Sequence, residues 1–330
     1  MKTEPTRRDV IRTAVAMLPV GLAPAAGMAQ TAYPTRPIRI IVPFGVATGV
    51  DLVARGLAEQ LSGQLGVAVH IDNREGVGGA VGTPAVQNAE PDGHTLLFTV
   101  SPPFSVQPLL QVKPSYDATR LTPVARVGTV AMSLVTSGKG RFKTFDEAAA
   151  FGEKNPGKLT YAHTGTGSLG FLSIERMNKE RGLRMLSVPY KSAPQALMDT
   201  SSGMVDFTLR ALSGVIPLAA SGELRLLAVG YPTRLPSLPD VPTMAEVLKR
   251  PGFDSIVTYA VFGPPGMNPA HVQKLNAEVK RAMASPTMKL QLEKAAVDPA
   301  HSTPEELGAL VRSEAATYRK LLNEIGMKPE

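Results

Sequence analysis

Apolar, strand-like runs that break abruptly into glycine-rich turns constrain this chain most. Ile38 to Phe44 (Ile-Arg-Ile-Ile-Val-Pro-Phe) runs into Gly45-Val46-Ala47-Thr48-Gly49, and Val67 to Ile71 runs through Asp72-Asn73-Arg74-Glu75 into Gly76-Val77-Gly78-Gly79. After the first turn Val50, Val53, Ala54, Leu57, Ala58, Leu61 and Leu65 recur at helical spacing, with Asp51 in the first turn and Gly66 after the last. That pattern predicts a helix. A third apolar run, Thr95 to Val100, ends at Ser101-Pro102-Pro103. Strand, glycine turn, helix, strand is the rhythm of an α/β domain with a parallel sheet, whose ligands sit beyond the carboxyl ends of the strands.

The rhythm restarts further on. Val124 to Ser137 reads as a strand long enough to cross between domains. Thr144 and Glu147 predict a capping box. Leu159 to His163 is a strand leading into Thr164-Gly165-Thr166-Gly167, then a helix that Ser168 caps and Gly182 ends. Leu186 to Tyr190, Val205 to Leu209 and Leu224 to Val229 are further strands, and Thr243 with Glu246 is another capping box. Ile256 to Phe262 returns to the first domain, and two terminal helices open at Asn268-Pro269 and Thr303-Pro304-Glu305-Glu306. The expected architecture is two α/β domains joined by two crossing hinge strands: residues 30–130 with 255–330 as domain I, and 131–254 as domain II. A cleft between such domains is a common small-ligand site.

Composition narrows the function. The chain of 330 residues has no Cys, which excludes disulfides and thiolate chemistry. With no Trp and 5% aromatics there is little to stack nucleic-acid bases. Lys2, Arg7, Arg8 and Arg12 form a basic head before an apolar, small-residue stretch, Thr13 to Ala26, and Gly27-Met28-Ala29 supplies small residues at a cleavage site. Residues 1–29 therefore read as an export signal of twin-arginine type, with an ordinary secretory signal as the alternative, cleaved near Ala29 to leave a periplasmic protein. That segment carries two of the seven net positive charges, so the mature chain is +5 with no basic run beyond pairs. This mild field suits an anionic small ligand and not nucleic acid.

Several motifs carry no enzyme chemistry. Gly165-Thr166-Gly167-Ser168-Leu169-Gly170 matches a dinucleotide fingerprint, but the next strand ends Val188-Pro189-Tyr190-Lys191 without an acid for a ribose. Gly152 to Lys158 matches a P-loop pattern, yet Leu159 stands where a hydroxyl is required. Ser168 lacks the glycine of a nucleophile elbow, and the five histidines show no ligand spacing. The chain reads as a binder, with no cofactor and no metal. The candidate anion-holding groups are the first-turn residues Phe44, Gly45, Val46, Ala47 and Thr48, whose N–H groups face a helix start. Gly78 and Gly79 of the second turn join them, with Ser101 after the third strand. His163, Thr164, Thr166 and Ser168 come from the other domain. Arg210, just past a strand ending, can pair with a carboxylate through two parallel hydrogen bonds. Asp51 reads as structural, Asn73 and Arg74 as fixing their loop, and Phe104 and Phe171 as either an apolar wall or core.

At these residues the chain resembles the periplasmic solute receptors of tripartite tricarboxylate transporters, the Bug-type family. The resemblance spans residues 33–326. It rests on Tyr33-Pro34, Pro37-Ile38-Arg39, Val42-Pro43-Phe44, Asp51, Asn73-Arg74, Gly76-Val77-Gly78-Gly79 and Pro91-Asp92-Gly93-His94-Thr95-Leu96. It continues through Pro156-Gly157-Lys158-Leu159, Gly165-Thr166-Gly167-Ser168, Val188-Pro189-Tyr190-Lys191 and Gly203-Met204-Val205-Asp206. It implies a two-lobed, periplasmic-binding-protein-like (type II) fold that closes on a dicarboxylate, tricarboxylate, acidic amino acid or aromatic acid. It also implies a monomer that delivers this ligand to a permease with large and small integral subunits. In the family, turn backbone groups hold the carboxylate, which maps here onto Phe44 to Thr48, Gly78, Gly79 and His163 to Ser168. The chain departs from the family's paired glycines at Ala47-Thr48, from a hydroxyl residue at Val50, from a histidine at Phe171, and from a common acid at Arg210. Presentation to a membrane sensor kinase and an exported α/β enzyme are the alternative readings.

Overall fold

The computed structural model describes residues 33–329 apart from Ala47, Val77, Gly78 and Ala80; the expected export signal lies outside the described residues. Ten strands order the described residues: β1 (Ile38–Val42), β2 (Val69–Asn73), β3 (Thr95–Val100), β4 (Thr122–Ser137), β5 (Thr160–His163), β6 (Leu186–Pro189), β7 (Phe207–Ala211), β8 (Leu224–Val229), β9 (Ile256–Gly263) and β10 (Asp298–Pro299). In β1, Ile38, Ile40, Ile41 and Val42 are fully buried, so both of its faces are covered. That is why the run is continuously apolar rather than alternating, and why it is parallel to both neighbours, β2 and β3.

The sheet order is β2-β1-β3-β9-β4-β7-β5-β6, with β8 and β10 added on β4. β4 is the spine. Its first part pairs with β9, up to Val130↔Val257 and Ala131↔Ile256. From Met132 onward it pairs instead with β7 and β8. The chain thus makes two lobes around two antiparallel strands. One lobe packs the helices Gly49–Leu65 and Pro269–Ala284 over Ile40, Leu96, Phe98 and Tyr259. The other packs the helices Phe145–Lys154 and Leu169–Arg181 over Leu134, Tyr161, Phe207 and Leu209. Each fully buried Ile or Leu contributes roughly 1.5–3 kcal/mol. A third cluster joins the lobes: Val106, Leu321 and Leu322 meet Leu172, with Phe171 and Leu110 alongside. The C-terminal helix Pro304–Glu324 therefore braces both, its first half on Phe104 and Phe262 and its last turns on this junction.

Three local readings need correction. Glu147 does not close a capping box on Thr144: its carboxylate accepts from Lys143 N at 2.7 Å, while Thr144 Oγ1 accepts from Glu147 N as expected. The strand expected at Val205–Leu209 runs Phe207–Ala211. Asp206 sets this shift, because Oδ2 accepts both the amide and the hydroxyl of Thr160 and so serves the sheet as a side-chain anchor. Arg210 is consequently inside the strand, opposite Ser133 of β4, and not beyond its end. Third, an additional helix, Pro286–Lys294, sits between the two expected terminal helices, capped by Ser285 through Met288 N.

Candidate functional site

The first turn is closed on itself. Thr48 is the N-cap of the helix Gly49–Leu65; its hydroxyl accepts from Asp51 N at 3.3 Å and donates to Gly45 O at 2.9 Å. From the neighbouring strand, Asn73 Nδ2 donates to Phe44 O (3.0 Å) and to Asp51 Oδ1 (2.9 Å), and Asp51 also receives Arg55 Nε. Asp51 and Asn73 are thus the struts of the turn, and Arg74 pairs with Asp72. Phe44 and Gly45 are half-buried and Val46 is exposed, at the helix N-terminus where a positive potential favours an anion. Glu75 was not singled out in the sequence, yet it leans on this turn: a Cβ on Gly45 would lie 2.8 Å from Glu75 Oε2. Ala47 and Gly78 lie outside the described residues.

Two candidates are committed elsewhere. Gly79, at φ +99°, spends its amide on Gly76 O (3.0 Å), and a Cβ there would fall 2.7 Å from Pro103 Cγ. The close approach inferred from its glycines is to Pro103, a packing contact. Ser101 is buried, and its hydroxyl accepts from Thr258 N at 2.8 Å, which ties the end of β3 to the crossing strand β9. Phe104 is core, stacked at a tilt on Phe262.

The opposite lobe brings His163, Thr164 and Arg210 together. Gly165 (φ +125°) turns the chain so that its amide donates to His163 Nδ1 at 3.1 Å, and its carbonyl accepts from Ser168 Oγ at 2.7 Å. That bond assigns the His163 proton to Nε2. Burial holds its pKa below the ordinary histidine value, so the ring is a neutral donor near pH 7. Phe171 packs on this ring at 4.9 Å between centroids. Ser168 caps the helix Leu169–Arg181 through Phe171 N, and Thr166 is exposed. Gly167 faces the other lobe: a Cβ there would come within 2.5 Å of Leu110 Cδ1 and 2.8 Å of Gln107 Nε2. Gln107 is a site-edge residue that carries no signal in the sequence, since a lone Gln between short apolar residues has no pattern.

Arg210 is the chemical centre. Its Nη1 donates to Thr164 Oγ1 at 3.3 Å, and the residue is half-buried. Burial depresses its pKa, and no charged neighbour offsets that cost. A guanidinium keeps its proton under these conditions. Among the described residues, then, a half-buried cation meets only a neutral hydroxyl. Such a charge is costly unless something paired and hydrogen-bonded reaches it. A carboxylate, with two oxygens matched to the planar fork, meets that need. Among the described residues no three His, Asp or Glu side chains gather as a metal site.

Comparison with known proteins identifies the family and the fold. The profile described as "Tripartite tricarboxylate transporter family receptor" matches residues 53–327. A UPF0065 protein of Bordetella bronchiseptica is 33% identical over 94% of this chain and 91% of its own length. The protein BugT of Bordetella pertussis is 32% identical over 92% and 94%. The structure of the periplasmic binding protein BugD superposes with a TM-score of 0.77 at 29% identity, covering 90% of this chain and all of that one. A Rhodopseudomonas palustris protein solved with adipate gives a TM-score of 0.80 at 29% identity over 90% of this chain and 100% of its own. MatC of the same organism, with bound malate, gives 0.74 at 28% over 88% and 100%.

Proposed function

The chain belongs to the family of tripartite tricarboxylate transporter receptors, and on that premise we propose that it is a periplasmic receptor that binds a small organic carboxylate between its lobes. The observation that carries the reading is Arg210: a half-buried guanidinium in contact with Thr164 and, among the described residues, with no acid paired to it. One ligand carboxylate takes this position. Amides of the turn Phe44 to Thr48, at a helix N-terminus, take the same group or a second one from the facing lobe. His163, Thr164, Thr166 and Ser168 shape the pocket. Adipate and malate, held by two similar proteins, make dicarboxylates the first class to examine.

In this reading residues 30–130 with 255–330 form one lobe and 131–254 the other. Residues 1–29 are the export signal, removed near Ala29. The closed complex hands its ligand, unchanged, to a permease with large and small integral subunits. Closure is favoured by the ligand's preference for the state in which both lobes touch it.

A thermal-shift screen of the chain from residue 30 tests this reading with mono-, di- and tricarboxylates, aromatic acids, sugars and amines. A carboxylate near 100 times its dissociation constant should stabilise the fold by about 2.7 kcal/mol. A shift with sugars or amines and none with any acid would overturn the assignment.

A further inference from the structure

Behind the crossing strands, the C-terminal helix Pro304–Glu324 roofs a second cavity, of about 350 Å³. It shares no lining residue with the candidate carboxylate site. β4 contributes Arg126 and Thr129, β9 contributes Ile256 and Thr258, the helix Leu169–Arg181 contributes Ser173 and Arg176, and Asp254 stands exposed at the mouth. Glu314 enters from the roof. Its Oε1 accepts from Thr258 Oγ1 at 3.2 Å, while Oε2 is buried with no hydrogen-bond partner.

The charges of this cavity are unusual in not closing on one another. Arg126, Arg176, Asp254 and Glu314 all face it, and among the described residues none of the four makes an ion pair. Arg126 instead donates Nε to the Ala300 carbonyl at 3.0 Å, and Arg176 lies over the Phe253 ring at 4.0 Å. Arg176 acts on Asp254 at a distance without closing an ion pair, and two guanidinium groups and two carboxyl groups around one chamber match a molecule that carries both signs. The volume falls within the range of small-ligand pockets, and its walls come from both lobes.

We propose that this cavity is a second binding site, for a small zwitterion bearing an ammonium and a carboxylate, and that its occupancy biases the hinge. The ammonium meets Glu314 and Asp254, and the carboxylate meets Arg176 and Arg126. Glu314 of the roof is tied to the crossing strand β9 through Thr258, whose amide in turn donates to Ser101 just past β3, so in this proposal filling the chamber changes how far the lobes can rotate. The groups facing Glu314 from the surrounding elements are Asp254, Arg126, Arg176 and Tyr318, with the hydroxyls of Ser101, Ser105 and Thr258. Burial and the nearby Asp254 raise Glu314 to about 7. A bound ammonium favours its ionised form, so zwitterion affinity rises between pH 5 and pH 8.

The test is calorimetric titration of the chain from residue 30 with glycine, β-alanine and 4-aminobutyrate, against butyrate and butylammonium as single-charge controls. At least one zwitterion should bind, butylammonium should not, and any binding of butyrate, a ligand for the carboxylate cleft, should be lost in Arg210→Ala. Glu314→Gln and Arg176→Met should each weaken that binding at least tenfold, while Arg210→Ala should leave it within twofold. If Glu314→Gln fails to fold, Arg176→Met and the pH profile of the unaltered chain still decide. Failure of all three zwitterions would overturn the proposal. So would equal binding by both variants, or loss of binding in Arg210→Ala, which would assign the zwitterion to the carboxylate cleft. Either result leaves the carboxylate reading standing on its own screen.

Discussion

At the scale of single residues, two charges set the behaviour. Among the described residues Arg210 pairs with no acid, so its charge costs stability in the empty receptor and is offset only by ligand. Arg210→Met is therefore expected to lower affinity for a dicarboxylate at least tenfold, about 1.4 kcal/mol, while the melting temperature of the empty protein holds or rises. Titration and melting on the same sample check this; unchanged affinity would remove Arg210 from the site. Glu314 acts through pH. Its folded pKa, about 7, lies above the ordinary glutamate value, so its contribution to stability is complete below about pH 4.5 and is lost as pH rises through 7. Glu314→Gln should abolish that loss, leaving the variant more stable at pH 8 by on the order of 3 kcal/mol and nearly matched at pH 4.5. Urea unfolding at the two pH values measures the difference, and a gap of equal size at both would refute it. Arg210 was legible as a candidate because a strand end is where ligands gather. Its lack of an acidic partner was not, because pairing depends on neighbours up to 46 residues away, such as Thr164.

Elements were read best where a side chain caps its own helix. Thr243 with Glu246 forms the reciprocal box its spacing predicts, and Thr303 with Glu306, read only as a helix start, forms one too. Thr144 with Glu147 forms only half, since Lys143 N competes for the carboxylate. Thr303→Ala should cost about 1 kcal/mol, read as a drop in the urea midpoint. Ser285-Pro286 is a helix-start signal of the same kind as Asn268-Pro269, and the additional helix Pro286–Lys294 begins there. The glycine turns were visible, but what each glycine serves was not. Gly79 serves Pro103, and adding a methyl there meets both a positive φ and a 2.7 Å clash. Gly79→Ala is expected to destabilise by roughly 1–3 kcal/mol with little direct effect on ligand contacts. A destabilisation below about 0.5 kcal/mol would mean that the loop simply shifts away.

For the whole molecule, the long apolar run at Val124 and the return strand at Ile256 made a two-lobed hinge legible before any coordinates, since two crossings require two strands of that reach. The roof of the hinge was not legible. A C-terminal helix that begins on Phe262 and ends on Leu172 gives one amphipathic stripe, and nothing in that stripe says which lobe covers which turn. Opposing lobes are expected to share one carboxylate ligand, with Arg210 on one side and the turn at Phe44 to Thr48 on the other. A crystal structure of the chain with the acid that stabilises it most tests this directly. The account predicts a carboxylate oxygen within hydrogen-bond distance of the Arg210 guanidinium and main-chain amides of the first turn on the same ligand. A ligand bound in the cleft with Arg210 still on Thr164 alone would contradict it.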